Sequence, residues 1–294
     1  MPSGALTDCL VAFGSNLGDG PELYQRAIAL LRAHFADLHC SDLFQTRAIG
    51  PGPQPNYLNA AIRGRTAWSP SDVLRWLLNV ERELGRQRSQ RWTARTADLD
   101  LLLYGQHRGR TSNPSTGGVD LEIPHPRMSF RQFVLQPACQ IAGDWYHPVC
   151  QATLQDLLTF LCERPNLVAI GDRHIWQTLW DDPPSESLTE RRLTGGVTIA
   201  RSAGTSAASN STDPLHFNLV LVGTDSAWLT VAERAKFLVV RESPTGIVWP
   251  ATWHGPLLAI PPQLATDELE SEIAGALAAT SPQSVLGVWS PAGG

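Results

Sequence analysis

"RWTARTADLDLLLYG", residues 91–105, decides how the first half of the chain must fold. From Ala97 to Tyr104 it is apolar except for two aspartates, Asp98 and Asp100. A short run with Leu at 99, 101, 102 and 103 reads as a buried strand. In a strand, residues i and i+2 share a side. The two carboxylates therefore lie on one face, while Leu99 and Leu101 face a core. Like charges this close repel, and burying them is costly unless something compensates. A hard divalent cation is the natural compensator, because Mg²⁺ accepts one or two carboxylates and completes its shell with water and phosphate oxygens. A turn cap followed by a solvated edge residue would give the same spacing. Arg86, Arg88, Arg91 and Arg95 stand just upstream, and guanidinium forks match phosphate oxygens two at a time. A solvated basic loop paired with the same aspartates is the competing reading.

Outward from this strand, "SPSDVLRWLLNVERELG" (69–85) is the clearest helix, with Ser69 as N-cap, Pro70 in the first turn and Gly85 at the end. "PELYQRAIALLRAHF" (21–35) has the same periodicity. "CLVAFG" (9–14), "LHCSDLFQT" (38–46) and "LNAAIRGRT" (58–66) read as strands, and "AIGPGPQPNY" (48–57) as a rigid loop. Residues 106–120 read as an exposed excursion. "LEIPHPRMSFRQFVLQPACQIAG" (121–143) is an extended piece, a Pro-His-Pro turn and a helical turn or two, and "ATLQDLLTFLCER" (152–164) is a helix. The order β-α-β-β-α-β predicts an α+β fold, a ferredoxin-like antiparallel sheet with helices on one face.

The texture changes near Pro165. "NLVAIGD", "GGVTIA", "FNLVLVG", "KFLVVRE" and "PLLAIPP" are short strand candidates, and "TDELESEIAGALAAT" (266–280) is a helix. Residues 1–164 and 165–294 are expected to be separate domains, the second a smaller α/β domain whose topology the pattern leaves open. Its turns "GDRHIW" (171–176) and "GTDS" (223–226) could bind a ligand at strand ends or be plain connections. The chain is 43% hydrophobic and 17% charged with a formal charge of −5, so nucleic acid is not an expected partner. Lys236 is the only lysine, which excludes a lysine-containing phosphate loop before it. Five cysteines without a CxxC pair fit a reduced, cytoplasmic protein. No segment reaches about 18 uninterrupted apolar residues, so no membrane span is expected.

The blocks "AFGSNLGD" (12–19), "QPNYLNAAI" (54–62), "ERELGRQRSQRWTARTADLDLLLYG" (81–105) and "EIPHPRMSFRQFVLQPACQIA" (122–142) stand in one order over about residues 9–160. In these the chain resembles the 6-hydroxymethyl-7,8-dihydropterin pyrophosphokinases of folate biosynthesis. The resemblance implies Mg²⁺-dependent transfer of pyrophosphate from ATP, the co-substrate, to the hydroxymethyl group of a reduced pterin, giving AMP. It implies two Mg²⁺ ions on Asp98 and Asp100, with Arg86, Arg88 and Arg95 as catalytic arginines. It places Glu81, Arg88, Arg91, Trp92, Arg95, His125 and Arg131 at ATP, and Thr46, Tyr57, Asn59, Trp92 and Phe133 around the pterin. A flat heteroaromatic ring suits an aromatic slot with an amide at its edge. The sequence departs from the family pattern at Arg47, where proline is common, and at Thr93 and Ala94, which replace glycine and proline in the closing loop.

Two other classes compete: a non-catalytic nucleotide- or pterin-binding regulatory module, and a metal-dependent phosphohydrolase. The first would be favoured by a missing carboxylate or closing arginine, and the second by clustered histidines; the sequence has neither. Residues 165–294 carry no motif. They are too short for the synthase barrel to which such families are sometimes fused. They are expected to pack, to form a homodimer or to regulate, and to take no part in the transfer.

Overall fold

The structure is a computed structural model. It describes residues 5–48, 54–85, 96–112, 120–171, 175, 177, 179, 189–192, 198–201, 216–221, 234–243, 246–247, 253–261, 263–280 and 287–291.

The first sheet is built from β1 (Thr7–Ser15), β2 (Ala36–Cys40), β3 (Leu43–Thr46), β4 (Tyr57–Thr66) and β5 (Asp98–Tyr104). Its order is β3-β4-β1-β5, with β2 also paired to β4, and every pairing is antiparallel. The stretch read as one strand over 38–46 is broken at Ser41. There the Ser41 hydroxyl accepts from the Ala61 amide at 2.8 Å, and the Tyr24 hydroxyl donates to the Ser41 carbonyl at 3.0 Å. Helices α1 (Gly20–Leu31) and α2 (Pro70–Glu83) cover one face. Asp19 caps α1 by accepting from the Glu22 amide, and Ser69 caps α2 by accepting from the Asp72 amide. Gly85 follows α2 with φ +88°, a left-handed turn that favours glycine. Cys9, Val11, Phe13, Leu99 and Leu101 point into this layer and are almost wholly buried.

The α+β class and its strand order match the expectation, but the helices are not confined to one face. Helices α3 (Gln132–Ala142) and α4 (Leu154–Glu163) lie on the opposite face, where Val134, Leu135, Ala138, Leu157 and Leu161 meet Leu10, Ala61 and Leu102. Helix α3 is longer than the turn or two read from the sequence. Pro137 suggests a break there, yet it is buried inside the helix. The excursion at 106–120 contains β6 (Gly109–Ser112), which pairs with β7 (Asp120–Ile123). A short pair follows, β8 (Tyr146–His147) with β9 (Ala152–Thr153), and the Ile123–Pro124 peptide is cis.

Beyond α4 the chain forms a second sheet. Strands β10 (Leu167–Ile170), β12 (Thr198–Arg201), β13 (His216–Leu221), β14 (Phe237–Ser243) and β16 (Leu257–Ile260) run parallel in the order β12-β13-β10-β14-β16. Two antiparallel pieces, β11 (Thr189–Arg192) and β15 (Gly246–Ile247), flank it. Helix α5 (Thr266–Thr280) packs Leu269, Ile273 and Leu277 against Val168, Phe237 and Val239. The last strand, β17 (Gly287–Trp289), leaves this unit and pairs antiparallel with β3, Val288 opposite Phe44. Sequence position 164 thus separates the two sheets but not every strand within them.

Candidate active site

Strand register sets the geometry. Gly14 on the central strand β1 stands opposite Asn59 of β4 on one side and Asp98 of β5 on the other. Two inter-strand spacings of about 4.8 Å put the backbones of Asn59 and Asp98 roughly 10 Å apart. A methyl group on Gly14 would lie 3.8 Å from Asn59 Oδ1 and 3.9 Å from Asp98 Cβ, so the glycine keeps the floor between them low. The next row on this face holds Ala61, Ala12 and Asp100.

At one end of the row the Asn59 amide donates to Thr46 Oγ1 at 2.9 Å, and both residues are buried. This bond fixes which way the amide points and turns its carbonyl oxygen toward Gly14. Tyr57, two residues earlier on β4, sits opposite Thr46. Thr46, Tyr57 and Asn59 therefore form one cluster.

At the other end Asp98 and Asp100 are half-buried, with Leu99 between them 2% exposed. The Leu99 amide donates to Glu81 Oε1 at 2.8 Å, and Glu81 itself is 2% exposed on α2. One oxygen of this carboxylate therefore braces the backbone between the two aspartates. The His125 amide donates to the Leu102 carbonyl at 2.9 Å, which ties the turn after β7 to β5. His125 Nδ1 accepts from the Arg127 amide at 3.2 Å, so the ring proton belongs on Nε2, which lies 3.9 Å from Asp100 Oδ2. Burial pushes the His125 pKa down to about 3, with the charges of Arg131 and Arg127 adding to it and Asp98 opposing. The ring is therefore neutral at pH 7. Burial likewise lowers Arg131 to about 10, reinforced by Arg127 and opposed by Asp100, Glu272 and Asp98. Its guanidinium lies 5.7 Å from the Phe133 ring centroid.

The fold thus gathers Asp98, Asp100, His125, Arg131 and Phe133 near one end and Thr46, Tyr57 and Asn59 near the other. Arg86, Arg88, Arg91, Trp92 and Arg95, with the departures Thr93 and Ala94, lie outside the described residues. Arg47 is described and exposed. The sequence reading missed two contributors. Gly14 was quoted inside a block, but only the register shows it between Asn59 and Asp98. Arg127 bears on both His125 and Arg131; its i, i+4 spacing to Arg131 was the available signal.

Among the described residues no group of three or more His, Cys, Asp or Glu side chains is placed to hold a metal ion. A pair of carboxylates on an open face still fits Mg²⁺, which needs only one or two from the protein when phosphate supplies the remainder. A cavity of about 290 Å³ lies behind His125, walled by Arg108, Glu122, Ser129, His147 and Leu257. Asp98, Asp100, Thr46, Tyr57 and Asn59 do not line it, but His125 does, and so stands between this cavity and Asp100. No helix among the described residues is long and apolar enough to cross a membrane.

Comparison with known proteins places the sequence in a family. The profile of the 7,8-dihydro-6-hydroxymethylpterin-pyrophosphokinase family matches residues 10–143. A 2-amino-4-hydroxy-6-hydroxymethyldihydropteridine pyrophosphokinase of Synechocystis sp. is 38% identical over 151 residues, which span 51% of this chain and 73% of the relative. Proteins of the same name are 38% identical in Bacillus subtilis, over 45% of this chain and 75% of the relative, and 36% identical in Haemophilus influenzae, over 48% and 85%. The matched segment holds β1 through α3, and with it every described site residue. The chain belongs to the 7,8-dihydro-6-hydroxymethylpterin-pyrophosphokinase family.

Proposed function

We propose that the sheet face bearing Asn59, Gly14 and Asp98 carries the family's reaction, transfer of pyrophosphate from ATP to 6-hydroxymethyl-7,8-dihydropterin in folate biosynthesis. The single observation that supports it is the strand row itself, which sets an amide suited to a ring edge about 10 Å from the aspartate pair. That interval suits a hydroxymethyl group meeting a phosphate.

Thr46, Tyr57 and Asn59 hold one edge of the pterin, Phe133 beside Arg131 walls it toward the aspartates, and Trp92 completes the pocket. The Asn59 carbonyl accepts from the ring edge while its amino group stays on Thr46. Arg131 and neutral His125 face the triphosphate, His125 donating from Nε2 to a phosphate oxygen. Arg88, Arg91 and Arg95 bind the nucleotide, and Arg86, Arg88 and Arg95 offset charge that builds on the transferred group. Glu81 works on the nucleotide side by keeping the aspartates in register. Asp98 and Asp100 would hold two Mg²⁺ ions, which would supply divalent charge for the phosphates and polarise the attacking hydroxyl. The hydroxyl oxygen bonds to the β-phosphorus as the bond from that phosphorus to the α,β-bridging oxygen breaks; AMP leaves with that oxygen, and the hydroxyl proton passes to solvent. Positioning and charge carry the catalysis, with little covalent work for the protein.

Residues 1–164 form the pyrophosphokinase domain and 165–294 a second domain of structural, dimerising or regulatory character, working in the cytoplasm. A non-catalytic pterin- or nucleotide-binding module is not favoured, because relatives 36–38% identical are named pyrophosphokinases and all the family's matched charged residues are present. Mass spectrometry of the full chain with ATP, Mg²⁺ and the reduced pterin decides. Two phosphate units should be added in one step with AMP released. One phosphate with ADP released, or binding without turnover, would overturn the reading.

A further inference from the structure

The segment from His125 to Phe133 carries three of the proposed site residues, His125, Arg131 and Phe133. The residues between them turn elsewhere. The Arg127 guanidinium pairs with Glu272 of α5 at 2.8 and 2.9 Å to its two oxygens. The Ser129 hydroxyl donates to the Leu257 carbonyl and accepts from the Leu257 amide, both at 3.2 Å. Phe130 is 1% exposed, and its ring meets Phe237 with centroids 5.2 Å apart. Its burial is within the second unit's core, beside Val168, Phe217 and Val239. The Gln132 amide donates to the Thr280 carbonyl at the end of α5 at 3.2 Å. Four residues in a span of six are thus held by the second unit.

We infer that the C-terminal unit is a clamp on the phosphate-facing segment of the kinase site, and that Glu272 is a positioning residue for the reaction, acting through Arg127. Arg127 and Arg131 are cations near one another, and each bears on His125. Uncompensated, Arg127 would repel Arg131 and compete for Asp100 or for phosphate. Glu272 pairs with Arg127 and also bears on Arg131, whose guanidinium then answers mainly to Asp100, with Asp98 adding to it. Ser129 and Phe130 fix the height of the segment, because a hydroxyl bound both ways to one backbone residue permits little sliding. The expectation that residues beyond 164 take no part in the transfer is therefore set aside. Their part is indirect: they touch neither ATP nor pterin, and they hold the residues that do.

The inference rests on the reading of His125 and Arg131 as ATP-side residues, so the test carries one readout that does not depend on it. In the full chain, Glu272→Gln keeps the shape and removes the charge. Amide hydrogen exchange across 125–133 should speed up, and the KM for ATP should rise about five- to tenfold, the scale of a lost charged hydrogen bond, while the KM for pterin stays within about twofold. In an Arg127→Gln background the same substitution should add much less, because the direct pair is then gone and only the weaker influence of Glu272 on Arg131 is left. Unchanged exchange and unchanged KM for ATP would overturn the clamp. So would an undiminished effect in the Arg127→Gln background, since Glu272 would then act by another route. Should Glu272→Gln fail to fold, Ser129→Ala takes its place with the same expected exchange and KM changes and the same consequence if neither appears. A wild-type chain that makes no AMP overturns the proposed reaction instead, and hydrogen exchange alone then decides the clamp.

Discussion

The two sheets of this chain use strands in opposite ways. In the first, β5 alternates at its start, Asp98 and Asp100 half-buried on one face and Leu99 buried on the other. In the second, all four residues of β10 are buried, as are Phe237 to Val240 of β14. Antiparallel strands can leave one face open, whereas parallel strands covered on both sides have no room for a polar side chain within their length. Chemistry can therefore sit inside the first sheet but only at the ends or seams of the second. This matches where the second unit meets the site, through Glu272, Leu257 and Thr280 rather than through a strand interior.

The comparison can be broken most sharply by placing a carboxylate in the second sheet. Ala169 is 0% exposed in the middle of β10. Ala169→Asp should cost about 3–5 kcal/mol, the scale of an uncompensated buried charge, and leave little folded chain. A denaturant midpoint close to that of the wild type would contradict the contrast. Removing carboxylates from the first sheet should do the reverse. Asp98→Ala with Asp100→Ala should cut AMP formation by on the order of 10²–10³-fold. The circular dichroism spectrum should not change, because neither side chain contributes to the core. Turnover near normal would end their assignment.

A third test uses pH. His147 is 3% exposed, its Nδ1 accepts from the Cys150 amide at 3.0 Å, and burial pushes its pKa from 6.5 down to about 3. The unfolded chain therefore takes up this proton more readily than the folded one. Stability from the neutral ring is complete above about pH 6.5 and drains away as pH falls toward 3. His147→Asn keeps an acceptor for Cys150 and cannot titrate. Between pH 7 and pH 5 the wild type should lose about 2 kcal/mol more than this variant in urea unfolding. Parallel pH curves would show that the ring is not buried as described. The smallest effect is at a helix end. Ser69→Ala removes the acceptor for the Asp72 amide and should lower stability by about 1 kcal/mol with turnover intact.

How much of this was legible in the sequence follows from the same contrast. The first sheet declared itself through alternation and caps: Ser69, Pro70 and Gly85 bounded α2, and "DLDL" announced its own two faces. Register did not show, because Gly14 opposite Asn59 and Asp98 is a matter of long-range pairing. Ser41 interrupted an otherwise regular strand through a hydroxyl bond to Ala61, which no periodicity signals. In the second unit the strands at 167–170, 237–243 and 257–260 were visible as apolar runs, and helix 266–280 was read to its bounds. Their order was not, since uniformly apolar strands carry no mark of which neighbour they join. Phe130 looked like one more apolar residue of the kinase block, and only packing shows that it belongs to the other core. Strand β17 has three residues, too few for any period.

That short strand bears on synthesis. Strand β3 is an edge of its sheet until Gly287–Trp289 pairs with it, and about 240 residues separate the partners. At ~5–20 residues per second the ribosome would need roughly 12–50 s to bridge that interval. Throughout, Leu43–Thr46 can offer unpaired backbone groups, which is the hazard an open strand edge carries in a crowded cell. A nascent chain of this protein therefore has a long interval in which a chaperone, or another strand, can reach that edge before Gly287–Trp289 do.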